Sequence, residues 1–326
     1  MHIHDGQILI SASDLSRHLA CRHLTSLDLL AAKGVISRVY RDDPSLEVLK
    51  ERGYRHEAAY LEHLKSKGLH VLEDQKDLDD KAGVQRTIDA MKAGVDVIPQ
   101  ADLTDGRWRG RADVLLKVAA QSYEVVDTKL ARKTRGGTIL QLCLYSELLA
   151  RIQGRTPEQM HVVSPGHDFE PETFRTHDFM AYYRLVKSRL DAHLSADSLP
   201  ATYPEPVEQC DVCHWWTVCN DRRRSDDHLS FVAGISGLQI AQLREWDAST
   251  LAKLAALPVP LKNRPDRGAP ESYVKTREQA RLQLQRRETG APTHELLALD
   301  PEHGLARLPE PSEGDIFLDF EGDPFV

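Results

Sequence analysis

Asp127 and Lys129 close the stretch "SYEVVDTKL", residues 122–130, where the apolar pair Val125-Val126 gives way to a carboxylate and an ammonium two residues apart. In an extended strand such residues project from the same face, so both groups enter one space. Asp113 interrupts the preceding apolar run, "GRADVLLKV", 14 residues before Asp127, which suits two adjacent strands joined by a turn over 119–122. A buried carboxylate is expensive without a partner. Two brought together repel, and a divalent cation resolves that repulsion. Lys129 beside them can stabilise charge developing on a phosphate or orient an attacking water. Taken alone, Asp127 and Lys129 also read as a plain ion pair.

Elements must hold these groups together. "SASDLSRHLACRHLTSLDLLAAKG" reads as one helix ending at Gly34, and "PSLEVLKERGYRHEAAYLEHLKSKG" as a second, with His56 and Glu57 at its middle. A short strand, "GLHVLE", and a third helix over 79–94 lead into three strands, "VDVIPQADL", "RWRGRADVLLKV" and "SYEVVDTKL". After the Gly136-Gly137 turn comes the helix "TILQLCLYSELLARIQG", with Gln141 and Tyr145 on one face and Cys143 off it, toward the core. Strand-like alternation returns at "QMHVVSP" and over 169–179, then a helix over 180–196. The order predicts an α/β domain built on a mixed central sheet flanked by helices, over residues 1–228. A small helical module follows over 229–290, containing "GISGLQIAQLREWDASTLAKLAALP" and a long polar helix near 271–288, and then a Pro/Gly-punctuated segment, 291–326.

The chain has 326 residues, 41% hydrophobic and 28% charged, with a net charge of −8, the composition of a soluble globular protein. No apolar stretch nears the ~20 residues that span a bilayer. The N-terminus lacks a signal-peptide pattern, so a cytoplasmic location is expected. Local charge differs from the total: residues 105–135 hold eight Lys and Arg against four Asp and Glu, and residues 262–288 again eight against four. The "RWRGR" stretch beside Asp113 is where a phosphate backbone could lie. Residues 73–80 are acidic and read as solvated.

Cys210, Cys213 and Cys219 form C-x₂-C-x₅-C, which points to a metal or cluster one ligand short. The fourth ligand is Cys21, or, for a structural zinc, His214 or His228. Trp215 and Trp216 could shield the group.

Together the motifs resemble the RecB-like branch of the PD-(D/E)xK nucleases: Gly53-His56-Glu57, Asp113, Asp127-x-Lys129 and Gln141-x-x-x-Tyr145, in that order. The resemblance implies the restriction-endonuclease-like fold and metal-dependent hydrolysis of DNA, on single strands or duplex ends. It implies Mn²⁺ or Mg²⁺ held by His56, Asp113, Asp127 and the carbonyl of Thr128. Lys129 is then the catalytic lysine, Glu57 part of the same machinery, and Gln141 and Tyr145 contact substrate or brace the site. Cys21 after Ser11, Ser13 and Leu15, with the three later cysteines, is similar to the layout of CRISPR-associated RecB-like and AddB-type nucleases. That implies a structural 4Fe–4S cluster on Cys21, Cys210, Cys213 and Cys219, and roles in DNA repair, recombination or defence.

The module after the nuclease resembles a helix-hairpin-helix pair whose hairpin glycine is replaced by "EWDAS", which leaves simple helical packing as the competing role. The final "GDIFLDFEGDPFV" resembles the first strand of a DnaQ-like exonuclease domain, with Asp319-x-Glu321 as its metal motif. On that reading the chain is truncated from a longer protein, with an exonuclease or helicase portion as partner. The alternative function is a non-catalytic nucleic-acid-binding or assembly module with a zinc or iron–sulfur site.

Overall fold

The computed structural model describes residues 1–4, 6–41, 43–73, 80–166, 168–196, 198–298, 300–320 and 322. It forms two compact units, Met1–Trp216 and Thr217–Val326.

The first unit runs β1 (His2–His4), β2 (Gln7–Ser11), α1 (Ala12–Ala20), α2 (Arg22–Ala32), α3 (Pro44–Ser66), α4 (Asp80–Ala93), β3 (Val97–Thr104), β4 (Trp108–Ala119), β5 (Ser122–Thr128), α5 (Gly136–Gln153), β6 (Gln159–Val163), β7 (Glu172–Arg175) and α6 (Thr176–Ser195). The seven strands make one mixed sheet in the order β1-β2-β4-β5-β6-β7, with β3 also on β4. β3, β4 and β5 are successive antiparallel partners, and β5–β6 is parallel. One core packs Leu15, Leu140, Leu144, Leu148 and Tyr183 against Ile98, Leu115 and Val125. The other packs Tyr60 and Leu64 of α3 against Val97, Val114, Val126 and Val163. The expected mixed α/β architecture is therefore present.

Several local expectations change. The single helix over 11–34 breaks at Cys21, whose extended backbone (φ −155°, ψ 107°) ends α1 and caps the start of α2. "GLHVLE" reduces to an isolated bridge between Val71 and Val97, because its pattern is too short to fill a ladder. Of the alternation over 169–179 only Glu172–Arg175 is strand, and α6 begins at Thr176. β1 and β2 are a hairpin that the short polar N-terminal pattern does not announce.

The second unit contains α7 (Trp216–Ser225), α8 (Gly237–Glu245), α9 (Leu251–Ala255) and α10 (Pro270–Thr289). They pack around Leu229, Val232, Leu243, Leu251, Leu254, Tyr273 and Ala280. The expected pair of short helices is α8 and α9, joined through Asp247 in a left-handed conformation (φ 58°). Asp315–Phe320 forms no strand, and Ile316, Phe317, Leu318 and Phe320 are exposed. A lone strand has no ladder to satisfy its main chain. Glu321 lies outside the described residues. Among the described residues no helix is long and apolar enough to cross a membrane.

Candidate active site

The β4–β5 ladder pairs Val114 with Val126, and one further step in the same antiparallel register sets Asp113 opposite Asp127. Asp113 Oδ2 accepts from both the Thr128 amide (2.7 Å) and the Thr128 hydroxyl (2.9 Å). Asp127 is fully buried. Its Oδ1 accepts from Gln141 Nε2 at 2.9 Å. Lys129, just past the end of β5, places Nζ 2.6 Å from Oδ2. Lys129 is thus the charge partner of this buried oxygen. Burial first, and then the Asp113 and Glu57 carboxylates, push Asp127 up to about 7 against the pull of Lys129. The Asp113 and Glu57 carboxylates thus both bear on Asp127, and the Lys129 ammonium offsets them. A divalent cation suits that imbalance: it would meet oxygen donors and relieve the repulsion that keeps Asp127 from ionising.

α5 braces the pair. Gln141 Nε2 donates to Tyr145 Oη at 3.2 Å as well as to Asp127. The Tyr145 ring lies against β4 at Gly110, where an added Cβ would come within 2.1 Å of Cε1; that close approach requires glycine. Burial, together with Asp127 and Asp113, raises the Tyr145 phenol and keeps it neutral. Tyr145 therefore belongs both to the core and to the site. Cys143 is a buried core residue, its thiol pushed up to about 12 by desolvation.

α3 supplies His56 and Glu57. His56 Nε2 lies 3.1 Å from the carbonyl of Val163, which also accepts the Lys129 amide at 3.0 Å. The His56 ring stacks on Phe169, with centroids 5.8 Å apart. Nε2 is thus directed to the main chain rather than to the carboxylates, and Thr128 meets Asp113 through its amide and hydroxyl. Among the described residues no three His, Cys, Asp or Glu side chains close around one point as a metal group. Direct contacts link Lys129, Asp127, Gln141 and Tyr145 in a chain, Asp113 is held by Thr128 and bears on Asp127 through its charge, and His56 meets the end of β6 through the Val163 carbonyl.

Gln100 also belongs to this place. Its Nε2 donates to Glu57 Oε1, and the pairs Pro99–Val114 and Ala101–Ala112 bracket it opposite Asp113. Its backbone is left-handed (φ 47°) in the middle of β3, a conformation that costs about 1–2 kcal/mol for a residue with a Cβ. The one sequence signal was a slip in alternation: Ile98 and Ala101, three apart, face the same core.

The basic stretch on β4 is partly committed to the fold. Arg107 pairs with Asp191 (3.1 Å) and Arg111 with Asp102 (2.8 Å). On α10, Arg277 and Arg281 pair with Glu278, and Arg287 with Asp227.

Of the cysteines, Cys21, Cys210 and Cys213 lie in the first unit and Cys219 in the second. Burial raises the Cys213 thiol, and Cys21 and Cys210 are close enough to raise it further. Cys21 Sγ accepts from the Leu24 amide (3.4 Å) and Cys210 Sγ from the Val207 amide (3.5 Å). His214 Nε2 is 3.1 Å from Asp28 Oδ1, which also accepts from Trp215 Nε1 at 2.8 Å. His228 has Ser230 at Nδ1 and Arg244 at Nε2. Both imidazoles are therefore engaged with other side chains. Trp215 is buried, whereas Trp216 is 41% exposed.

A mixed sheet flanked by helices, with two carboxylates on adjacent strands, a neighbouring lysine and a bracing helix, is the arrangement of a nuclease fold. The family model of the PD-(D/E)XK nuclease superfamily matches residues 18–220, and the chain belongs to that superfamily. Its members typically use Mg²⁺ or Mn²⁺. No curated protein matches the chain. A solved structure described as "Crystal structure of SSO0001" is similar over 68% of this chain and 89% of that chain, at 14% identity and a TM-score of 0.31, too distant a likeness to add to the assignment.

Proposed function

We propose that this chain is a RecB-like, metal-dependent deoxyribonuclease that hydrolyses phosphodiester bonds on single strands or duplex ends, acting as an exonuclease. The observation that carries the reading is Asp127: fully buried, set opposite Asp113, pushed up to about 7, and 2.6 Å from Lys129. An ordinary structural ion pair needs neither the second carboxylate nor the burial. Asp113 and Asp127 would hold Mn²⁺ or Mg²⁺, with His56 and the Thr128 carbonyl completing the set. When bound, the cation supplies Lewis acidity and a water of lowered pKa. Lys129 stabilises the charge that develops on the scissile phosphate. Gln141 fixes the orientation of Asp127, and Tyr145 fixes Gln141. Glu57 adds a third carboxylate from α3, suited to orienting the attacking water.

The structural group proposed on Cys21, Cys210, Cys213 and Cys219 is a 4Fe–4S cluster rather than zinc. Its support is the electrostatic influence of Cys21 and Cys210 on the Cys213 thiol and the engagement of His214 and His228 with other side chains; all-thiolate ligation suits such clusters. DNA repair, recombination or defence is the setting this activity fits, with an exonuclease or helicase portion as partner.

The test is degradation of end-labelled single- and double-stranded DNA with Mn²⁺, Mg²⁺ or EDTA. Metal-dependent loss of the label from chain ends supports the reading. A folded, metal-supplied protein that binds DNA without cutting it would favour the non-catalytic alternative.

A further inference from the structure

We infer that Gln100 is a positioning residue of the active site, holding Glu57 in place beside the two strand carboxylates; this rests on the nuclease reading above. Three observations converge on it. Gln100 stands opposite Asp113 across β3–β4, and Asp113 stands opposite Asp127 across β4–β5, so the three form a row across the sheet. Its amide donates to Glu57, whose charge bears on Asp127. Its backbone is left-handed. Glycine would adopt that conformation freely and absorb the slip in alternation at no steric cost. A glutamine there keeps a strained backbone together with a side chain that reaches the site.

Tyr60 and Leu64, about one and two turns past Glu57, anchor the α3 main chain in the core. The hydrogen bond from Gln100 then sets the direction of the Glu57 side chain, as the contact of Nε2 with the Val163 carbonyl sets His56. Gln100 reaches no reacting atom itself. It presents an N–H to Glu57 Oε1.

Gln100→Gly separates the two roles, because it permits the left-handed backbone and removes the side chain that reaches Glu57. Partners that orient the groups around a metal are worth about 10–100-fold in affinity or activity. In Gln100→Gly, Mn²⁺ affinity measured by titration calorimetry should fall by about 10-fold. In DNA cleavage kcat should fall about 10-fold or more with KM nearly unchanged, while the thermal midpoint stays at or above that of the wild type. In the Glu57→Ala background, adding Gln100→Gly should cause little further loss, since Gln100 acts through the Glu57 carboxylate. Wild-type Mn²⁺ affinity and kcat in Gln100→Gly would overturn the proposal, as would full additivity with Glu57→Ala or a wild type that binds no Mn²⁺. A wild type that binds Mn²⁺ but cuts no DNA would sink the nuclease reading alone. The calorimetric comparison would still decide the role of Gln100.

Discussion

At the scale of single residues the site is an electrostatic arrangement held by hydrogen bonds. Asp127 is the group under most pressure, raised from 3.8 to about 7 by burial and by the Asp113 carboxylate. In the folded, metal-free protein it keeps its proton over a pH range where the unfolded chain has lost its own. Its contribution to stability is therefore full below about pH 4 and lost as pH rises through about 7. Unfolding free energy in EDTA should decline across that window, and Asp127→Asn should flatten the decline; parallel curves for the two proteins would contradict it. Mn²⁺ binds the ionised form, so its stabilising effect should grow over the same window. Gln141→Ala leaves Asp127 Oδ1 buried without its donor and should cost about 1–3 kcal/mol by denaturant titration, together with a loss of cleavage. Asp127 and Lys129 were legible in the sequence because charges are rare at the end of an apolar strand. Gln100 was not, since a neutral side chain in a strand pattern carries no such contrast.

At the scale of elements, the sheet register does the gathering. Three antiparallel strands set Gln100, Asp113 and Asp127 in one row, and α5 packs directly over it through Tyr145 and Gly110. Gly110→Ala should push the Tyr145 ring away from β4, with a loss of about 1–3 kcal/mol of stability and weaker cleavage. Wild-type stability in that variant would show that the ring has room. The strands and α5 were readable from the alternation and spacing of apolar residues over 95–154. The break between α1 and α2 was not. Periodicity runs straight through Cys21, and the break comes from the residue's extended backbone, whose sulfur then caps the next helix. The reach of His56 was equally hidden: position on a helix face does not reveal that its Nε2 would meet the Val163 carbonyl.

At the scale of the whole molecule, each unit has its own apolar core, and the proposed catalytic residues lie within the first. The mixed architecture followed from the order of helix and strand patterns, whereas "GDIFLDF" read as a strand and is irregular here. Hydrophobic alternation marks what can pair, and pairing also needs a neighbouring edge. Anaerobically purified protein should carry iron and acid-labile sulfide, and Cys21→Ser should lose most of both; zinc in place of iron would contradict this. The most direct test of the central claim is cleavage of end-labelled DNA by the wild type, Asp127→Ala and Lys129→Ala, each with Mn²⁺ or EDTA. The wild type should cut only with the metal, and each variant should fall by about 100-fold or more while staying folded. Cleavage that survives in either variant, or that proceeds in EDTA, would contradict the assignment of this site.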